Sequence, residues 1–421
     1  MIRHIECCRL CGGILFSDKL VLSPTPLANE LSVSAEYAIN AETFPLTVGM
    51  CSECSHVQLV DLVTSERLFD GYAYQSGTST FFKNHFAEFA STTCRFAKLT
   101  PVLEIGSNDG TLLQAFADLG IKCVGIEPSV QLVEKCQNSD LDVRVGYYDE
   151  STAKNLVAEF GQFDLIVANN VLAHIDNLHQ VFQDILDSLS PDGVCVFEVA
   201  HLLNMVEQGT FDSIYHEHMS YHSLISLNKF CKSVGFTVFD VQLVSSHGGS
   251  MRVFISKSSQ IAIQDSVGRL LEVELACGLD SPKVLQTIET RISSLKLELD
   301  NYLNSKKSTS IKFTFGFGAP AKLVTFMSET RLYEQNIAFI IDDNPLKQGK
   351  FIPTWAIPVI GKPEAEEIIT GLIRENSSIE FRVIIFPWNI SAEIIDKLSK
   401  WLPKGTEVLW FNDGLNVREI L

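Results

Sequence analysis

Two pairs of cysteines near the N-terminus have the spacing of a metal site. Cys8 and Cys11 form one CxxC pair, and Cys51 and Cys54 form the second. Four thiolates can close a tetrahedral shell around Zn²⁺, because each two-residue loop allows two sulfurs to converge on one ion. Cys7 offers an alternative first ligand, and unrelated buried cysteines are the other interpretation. Because the segment between the pairs lacks the apolar residues for a core of its own, we predict a structural zinc site.

A glycine turn after a buried strand forms the second candidate site. Residues 102–105 are predicted to form the strand and residues 111–119 the following helix, with the sequence Glu104-Ile-Gly-Ser-Asn-Asp-Gly110 between them. Glycines allow the backbone to approach a ligand closely, and the helix N-terminus offers free N–H groups. The spacing is not GxGxxG, so a dinucleotide fingerprint is not predicted. A tight turn in any Rossmann-like sheet is the alternative.

Histidines, a tyrosine and a glutamate form the third candidate site. His174 ends a segment that follows a predicted strand, and Tyr215, Glu217 and His218 lie in the sequence Tyr-His-Glu-His. Both regions fall at carboxyl ends of strands, where ligands bind in open α/β sheets. Successive side chains on a loop point apart, so proton transfer is a better role for this group than metal binding. A buried structural histidine is the alternative for His174.

The elements that must position these residues alternate between strands and helices. The strands predicted for the two α/β segments are residues 102–105, 122–126, 163–168 and 194–199, and residues 311–315, 338–341, 381–386 and 407–410. This alternation predicts α/β domains with doubly wound parallel sheets. Apolar residues at helical spacing over residues 284–302 predict a long amphipathic helix that bridges domains. We therefore predict domains at residues 1–66, 67–258 and 259–421.

The composition excludes several classes of protein. Of the 421 residues, 46% are hydrophobic and 20% are charged, which is typical of a globular chain and not of a disordered one. The net charge of −18 disfavours nucleic acid and anionic membranes as partners. The N-terminus lacks a signal-peptide pattern, and the 11 cysteines are too spread out for a secreted disulfide framework. We expect a cytoplasmic protein.

The glycine turn resembles the S-adenosylmethionine pocket of class I methyltransferases. In that family an acidic residue at the position of Glu127, which follows the next strand, accepts hydrogen bonds from the ribose hydroxyls. The resemblance implies a Rossmann-like class I methyltransferase fold for the middle segment. The residues that it assigns to the cofactor are Glu104, Gly106, Ser107, Asn108, Asp109, Gly110, Glu127 and Asn169.

A more specific resemblance extends almost from end to end. Its motifs are the two CxxC pairs, Tyr72-Ala-Tyr74-Gln-Ser76, the glycine turn, His174, Tyr215-His-Glu-His218, His247-Gly-Gly-Ser-Met-Arg252 and Gly316-Phe-Gly-Ala-Pro-Ala-Lys322. Together they resemble the zinc-containing sugar C-methyltransferases, which methylate nucleotide-linked 4-keto-deoxysugars. The resemblance implies an N-terminal zinc-binding domain, a central methyltransferase domain and a C-terminal Rossmann-like domain. The sugar nucleotide would lie between the last two.

The implied reaction assigns roles to the third site. A carbon next to a ketone becomes nucleophilic only after losing a proton, so a base and a donor to the ketone oxygen are needed. By resemblance, His218 is the base, Glu217 orients or tunes a histidine, and Tyr215 and His174 donate to the enolate oxygen. Tyr72 is expected to reach the site from the N-terminal side, with Tyr74 as its alternative. Both tyrosines could instead pack at a domain junction.

In the last segment, Gly318 and Lys322 open a helix after a strand, which suits a nucleotide phosphate. An ordinary turn is the alternative. Arg252 is expected to pair with a carboxylate or a substrate phosphate. The loop at residues 342–350 carries acidic residues and two lysines, and could line the same cleft.

We expect methyl transfer from S-adenosylmethionine to a carbon, C3, of a nucleotide-linked 4-keto-6-deoxysugar, with Zn²⁺ as a structural ion. O-methylation of a sugar or small metabolite is the alternative within the same enzyme class. A zinc-ribbon nucleic-acid binder is disfavoured by the acidic balance, and a non-catalytic sugar-nucleotide module by the presence of acid–base residues. No membrane and no obligatory protein partner are implied.

Overall fold

The structure is a computed structural model that describes residues 2–64, 67–68, 80–305 and 312–421. The predicted site residue Tyr72 and its alternative Tyr74 lie outside the described residues. Among the described helices, none combines the length and the apolar content that a membrane crossing needs.

Strands and helices alternate along much of the described chain. The strands are β1 (Ile2–His4), β2 (Leu20–Thr25), β3 (Phe44–Met50), β4 (Val57–Leu59), β5 (Asp61–Val63), β6 (Val102–Ile105), β7 (Cys123–Glu127), β8 (Val143–Val145), β9 (Phe163–Asn169), β10 (Leu189–Ala200), β11 (Ser220–Tyr221), β12 (Thr237–Val244), β13 (Ser250–Ser256), β14 (Lys312–Phe317), β15 (Ile340–Ile341), β16 (Phe351–Ile352), β17 (Ile357–Ile360), β18 (Glu380–Ile385), β19 (Glu407–Phe411) and β20 (Leu415–Glu419). The helices are α1 (Ala35–Ile39), α2 (Thr80–Thr93), α3 (Thr111–Asp118), α4 (Val130–Gln137), α5 (Glu150–Phe160), α6 (Leu178–Ser188), α7 (Leu202–Gln208), α8 (Leu224–Ser233), α9 (Asp265–Ala276), α10 (Lys283–Ser305), α11 (Leu323–Thr330), α12 (Lys362–Glu375) and α13 (Ser391–Ser399).

The central sheet has the strand order β12-β13-β10-β9-β6-β7-β8. The neighbouring strands β10, β9, β6, β7 and β8 are parallel, and all of them except β8 were predicted from the sequence. The last two strands, β12 and β13, run antiparallel, which corrects the expectation of a fully parallel sheet. A short turn joins β12 to β13, and so short a connection can join only antiparallel neighbours. This is the Rossmann-like α/β fold of class I methyltransferases, with a mixed sheet.

The N-terminal sheet has the order β11-β4-β3-β2 and is completed by a strand from the middle of the chain. Ser220 and Tyr221 of β11 pair antiparallel with Gln58 and Val57 of β4. The apolar side chains of β2, β3 and β4 share a core with α7, α10 and α11. The N-terminal segment therefore has no separate core, which agrees with the apolar-poor sequence.

The last sheet has the order β16-β17-β15-β14-β18-β19-β20, with parallel pairing except at its two edges. The second α/β unit predicted from the sequence is thus confirmed. Its edge strand β16 also touches the N-terminal segment, because the backbones of Ser32 and Phe351 exchange hydrogen bonds of 2.8 and 2.9 Å. Helix α10 is the predicted amphipathic helix, and it contacts β2 and β3, α7, α11 and β20. It therefore packs against all three sheet regions.

Arg252 lies within the central sheet and is held by two carboxylates. Its Nε donates to Oε1 of Glu198 and its Nη2 to Oε2 of Glu88, each at 2.7 Å. The guanidinium also stacks on Phe89, 4.5 Å from the ring centroid, and the Arg252 side chain is fully buried. His85 bonds to the other oxygen of Glu198 at 2.7 Å. Of the two expected partners, Arg252 therefore pairs with carboxylates and fastens α2 to the sheet.

We predict that Arg252→Met destabilises the fold strongly. The substitution leaves the buried Glu198 carboxylate without its cation, which costs about 3–5 kcal/mol at such sites. The control is Arg144→Met, because Arg144 pairs with Glu159 at the surface with its side chain 36% exposed. Exposed pairs contribute about 1 kcal/mol or less. Urea unfolding followed by fluorescence should show a much larger midpoint shift for Arg252→Met, and equal shifts would refute this account.

Candidate functional site

The four predicted zinc ligands converge in space. The Sγ atoms of Cys8, Cys11, Cys51 and Cys54 all lie within 4.8 Å of one another. The shortest separations are 3.5 Å from Cys8 to Cys54 and 3.4 Å from Cys11 to Cys51. Regular tetrahedral Zn–S bonds of about 2.3 Å place sulfurs about 3.8 Å apart, so the cluster fits one Zn²⁺. Cys7 is exposed and lies outside this cluster.

Backbone N–H groups surround the sulfurs. The donors to these thiols belong to Leu10, Gly13, Glu53 and Cys54. Such donors stabilise thiolate charge, which the ligands must carry when a metal binds. All four positions of the shell are filled by protein sulfur, so the ion would be structural and would have no open position for a substrate.

The predicted cofactor turn is shaped by left-handed backbone conformations. Gly106 and Gly110 have φ of 72° and 76°, and Asn108 between them has φ of 49°. Glu127, at the end of β7, accepts hydrogen bonds from the backbone N–H of Asn108 at 3.0 Å and of Ser129 at 2.9 Å. The carboxylate therefore fixes the turn after β6 from the neighbouring strand. This places the predicted turn and the predicted acidic residue side by side.

Unpaired polar atoms line the same strand ends. Oε2 of Glu104, Oγ of Ser107 and both side-chain atoms of Asn169 are buried without a hydrogen-bond partner among the described residues. Burial, together with Asp109 and Glu127, raises the pKa of Glu104 well above its ordinary value. S-adenosylmethionine offers ammonium and hydroxyl donors as well as a positive sulfonium, so these atoms fit it.

Asp109 opens helix α3 on the other side of the turn. It accepts a hydrogen bond from the Thr111 hydroxyl at 2.6 Å and lies 3.7 Å from the Lys135 ammonium. Its side chain is only 3% exposed. The eight residues predicted to hold the cofactor thus lie on β6, the turn, β7 and β9, at one edge of the sheet.

Tyr215, His218 and His174 come together at the neighbouring strand ends. Tyr215 Oη lies 2.7 Å from Nε2 of His218, and Nδ1 of His218 lies 3.0 Å from the Ser213 carbonyl oxygen. A carbonyl can only accept, so Nδ1 carries the proton of the neutral ring and Nε2 accepts from the tyrosine. The His174 and His218 ring centroids are 5.0 Å apart. The structure therefore brings these three predicted residues into one group.

Glu217 is buried beside this group and turns toward the N-terminal segment. Asn29 Nδ2 donates to both of its carboxylate oxygens, at 2.8 and 2.9 Å. Burial raises the pKa of Glu217 to about 7, although the bond from Asn29 lowers it. Its backbone, rather than its carboxylate, hydrogen-bonds to His174. Burial lowers the pKa of His174 to about 4, so this ring is neutral at pH 7.

Several residues of the site were not predicted. Asn29 does not lie in a motif, and its role depends on its contact with Glu217, which is distant in the sequence. Ser213 contributes only a carbonyl oxygen, which any residue has. His201 and His222 line a cavity together with His218, although neither lies in a recognised motif. A search for histidines at the ends of predicted strands would have found His201, which directly follows β10.

The predicted phosphate turn of the last sheet is hydrogen-bonded to the 342–350 loop. The Ala319 backbone N–H donates to Oδ2 of Asp342 at 2.8 Å, and Lys347 Nζ donates to the Ala319 carbonyl at 2.7 Å. Gly318 has φ of 79°, and a Cβ there would lie 2.3 Å from Pro387. Glycine is therefore required by the turn itself. The 342–350 loop does lie beside Gly318, as expected.

Lys322 lies between the central and last sheets. Its Nζ is 3.2 Å from Oδ1 of Asn389 and 3.7 Å from the centroid of the Trp388 ring. Burial lowers the pKa of Lys322 to about 8, opposed by the nearby Asp212. The indole of Trp388 donates to Oδ2 of Asp212 at 2.8 Å. The structure thus places Lys322 in a charged contact between the two units.

Three family models match successive parts of the chain. A zinc binding domain matches residues 8–69, a methyltransferase domain matches residues 74–241, and a C-methyltransferase C-terminal domain matches residues 245–411. "C-methyltransferase NovU" of Streptomyces niveus is 27% identical over 96% of this chain and 95% of that protein.

The chain is an S-adenosylmethionine-dependent C-methyltransferase. The mitochondrial "Ubiquinone biosynthesis O-methyltransferase" of Rattus norvegicus is 30% identical, but over 22% of this chain and 28% of that protein. Among solved structures, the CcbJ methyltransferase of Streptomyces caelestis is 12% identical, with a TM-score of 0.34 over 46% of this chain and 96% of that chain. NovU therefore matches almost the whole chain, whereas the other two proteins match less than half of it.

We predict that Cys11→Ser removes zinc from the C-methyltransferase and lowers its melting temperature. Three sulfurs hold the ion less tightly than four, and the N-terminal segment shares its core with the rest of the chain. Elemental analysis should give about one zinc per wild-type chain and much less for the variant. The control is Cys277→Ser, because Cys277 is exposed and outside the cluster. Equal zinc content in Cys11→Ser and wild type would contradict the assignment.

We also predict a pH-dependent contribution to stability from Glu217. Its pKa rises from an ordinary 4.5 to about 7 on folding, so the folded chain holds this proton more tightly than the unfolded chain. Stability from this group is present below pH 4.5 and is lost as the pH rises toward 7, by up to about 3 kcal/mol. Glu217→Gln should therefore lose less stability than wild type between pH 5 and pH 8.

Thermal unfolding at the two pH values measures this difference. The control is Glu367→Gln on α12, because Glu367 is exposed and should change the pH slope little. If wild type and Glu217→Gln showed the same pH slope, Glu217 would not be the group responsible.

Proposed function

We propose that the enzyme methylates the carbon next to the ketone of a nucleotide-linked 4-keto-6-deoxysugar, at C3. The observation that supports this most directly is the chain of hydrogen bonds from Tyr215 through His218 to the Ser213 carbonyl. It adjoins His174, which follows β9, and ligands of open α/β sheets bind at the carboxyl ends of the strands. A base fixed in one tautomer suits removal of a proton from carbon.

His218 is the base in this proposal. Because the Ser213 carbonyl holds the proton on Nδ1, the lone pair of the ring is on Nε2. Nε2 faces the Tyr215 hydroxyl at 2.7 Å, so the tyrosine either passes the substrate proton to the histidine or yields its place to the substrate. In both cases His218 gains one proton, either from C3 directly or from Tyr215, which then takes the C3 proton, and the electron pair moves to the ketone oxygen.

The enolate oxygen needs a hydrogen-bond donor at pH 7. We assign this role to His174, whose lowered pKa of about 4 keeps the ring neutral at pH 7. Its ring lies edge-on to that of His218, so both can face one sugar ring. Tyr215 is the second donor once its hydroxyl leaves His218. Glu217 acts through the position of the loop, which its bonds to Asn29 fix.

The cofactor residues bind and orient rather than react. S-adenosylmethionine supplies an electrophilic methyl group when it is bound. Glu127 is placed for the ribose hydroxyls, and the unpaired Glu104 and Asn169 are placed for the positively charged end of the cofactor. Burial, together with Asp109 and Glu127, raises the pKa of Glu104, and a cation bound beside these carboxyl groups offsets their charge.

The nucleotide is proposed to lie between the central and last units. Lys322 and Lys347 would supply positive charge to it, and Gly318 allows the turn between them to pack closely against Pro387. The domain limits that go with this proposal are residues 1–66, 67–258 and 259–421. The described cysteines are all free, which fits a reducing compartment such as the cytoplasm.

The test is a reaction with methyl-¹³C S-adenosylmethionine and a panel of nucleotide-linked 4-keto-6-deoxysugars. We expect a new ¹³C resonance in the C-methyl region for at least one sugar, with loss of the proton at C3. An O-methyl resonance would overturn the proposal in favour of hydroxyl methylation. Absence of any methylated sugar, with cofactor binding shown by calorimetry, would also overturn it.

His218→Ala provides the matched control for the mechanism. The variant should stay folded and bind the cofactor with wild-type affinity, because the Tyr215 and Ser213 atoms that bond to His218 belong to its own loop. Its kcat should fall about 10²- to 10⁴-fold, since proton transfer is lost. Full activity in this variant would mean that another group removes the proton.

A further inference from the structure

A cavity opens next to His218 that the proposed mechanism does not use. Its polar lining includes His201, Asn204, His218 and His222. It lies at the carboxyl ends of β9 and β10, beside the predicted acceptor position. The cavity adjoins the reacting group and has a volume of about 40 Å³, which is room for one substituent of a substrate and not for a whole sugar.

Two consecutive glycines form one wall of this cavity. A Cβ on Gly249 would lie 1.8 Å from Nδ2 of Asn204, and a Cβ on Gly248 would lie 2.4 Å from the Trp388 ring. Both glycines have positive φ, 85° and 118°, which side chains rarely adopt. The wall thus depends on the absence of side chains at both positions.

His201 reaches the cavity from the end of β10 and is anchored behind by Glu274. Its Nε2 lies 2.7 Å from Oε1 of Glu274, and both side chains are at most 1% exposed. Glu274 also accepts the backbone N–H of Leu224 at 2.7 Å and of Ile225 at 2.8 Å, at the start of α8. A carboxylate oxygen only accepts, so Nε2 of His201 carries the proton of its hydrogen bond to Glu274.

The other ring nitrogen of His201 lacks a hydrogen bond to the part of the chain that the structure describes. Nδ1 is buried and has no hydrogen-bond partner among the described residues. His222, which lines the same cavity and is 1% exposed, has both ring nitrogens in that condition. A buried polar group without a partner costs about 1–3 kcal/mol. Such groups persist where a ligand or an ordered water completes them.

We propose that His201 binds a hydroxyl group of the sugar substrate through Nδ1, with Glu274 as the residue that positions its ring. With the proton held on Nε2, a neutral His201 presents an acceptor at Nδ1, and a hydroxyl is the substrate group that donates to it. His222 forms the neutral floor of the same subsite. The inference rests on the proposed function, because it concerns how that substrate is recognised.

Among the residues that the structure describes, the lining of this cavity contains no Asp, Glu, Lys or Arg. A sugar hydroxyl needs directed hydrogen bonds but no counter-ion, and a site built to bond a hydroxyl rejects the analogue that lacks it. Burial and the charge of Arg9 lower the pKa of His222 to about 3, which keeps it neutral as well. His201 therefore serves specificity between sugars, while His218 serves the proton transfer.

Two conservative variants separate a structural role of His201 from contact with substrate. The amide of His201→Gln reaches the position of Nε2, so it keeps the bond to Glu274 and loses the acceptor at Nδ1. The amide of His201→Asn reaches the position of Nδ1, so it keeps a polar atom at the cavity and loses the bond to Glu274. The control is His179→Gln, an exposed histidine on α6 whose ring packs on Phe230.

The kcat and KM of each protein are measured on a hydroxylated keto-sugar and on the analogue that lacks one hydroxyl. We expect His201→Gln to melt near wild type and to lose about tenfold or more in kcat/KM on the hydroxylated sugar, through KM, with little change on the analogue. His201→Asn should melt lower and keep part of the preference. His179→Gln should match wild type on both sugars.

Each other outcome overturns a defined part of the inference. If His201→Gln keeps the wild-type kcat/KM on both sugars, Nδ1 holds only a water and the inference is wrong. If it loses the same factor on both sugars, His201 acts on the site as a whole and not on a hydroxyl. If wild type methylates none of the keto-sugars, the proposed function fails first, and the role of His201 fails with it.

Discussion

The candidate site depends on the 212–222 segment, which hydrogen bonds from the N-terminal segment, the central unit and the last unit hold in place. Residues of the N-terminal segment bind its middle, through Asn29 to Glu217 and through the pairing of β4 with β11. Its first residues are held from the last unit, where Thr325 donates to the Ile214 carbonyl at 2.6 Å. The central sheet contributes the Ala173 carbonyl, which accepts from the Met219 N–H at 2.8 Å. His218 therefore sits where three sets of bonds fix its backbone.

This arrangement accounts for the zinc site and for the shared core. The N-terminal segment presents apolar strands to α7, α10 and α11 and does not enclose a core of its own. A segment of this kind keeps its shape only if its ends are joined, and the four cysteines join them. The ion would thus act on catalysis through the position of Asn29 and β4, although it has no open coordination position. Structural metal and catalytic loop are connected by a short run of packed strands.

The sequence predicts those parts of the molecule whose chemistry depends on residues close together in the chain. The two CxxC pairs, the turn from Glu104 to Gly110 and the strands beside it carry their meaning in local spacing, and each forms as expected. The partners of Arg252 and Glu217 could not be predicted in this way, because Glu88, Glu198 and Asn29 are brought near by tertiary packing. The antiparallel edge of the central sheet was missed for a related reason, since a strand does not reveal its direction from its own residues.

The two Rossmann-like sheets build the same turn in surroundings of different charge. In each, a carboxylate at the end of the second strand accepts a backbone N–H from the turn after the first: Glu127 bonds to Asn108, and Asp342 bonds to Ala319. Around the first turn further carboxylates accumulate, and they raise the pKa of Glu104. Around the second, Lys347 lies 3.7 Å from Asp342 and offsets its charge. The cationic methyl donor suits the carboxylates around the first turn, so the surrounding charge, rather than the shape of the turn, distinguishes the two sheets.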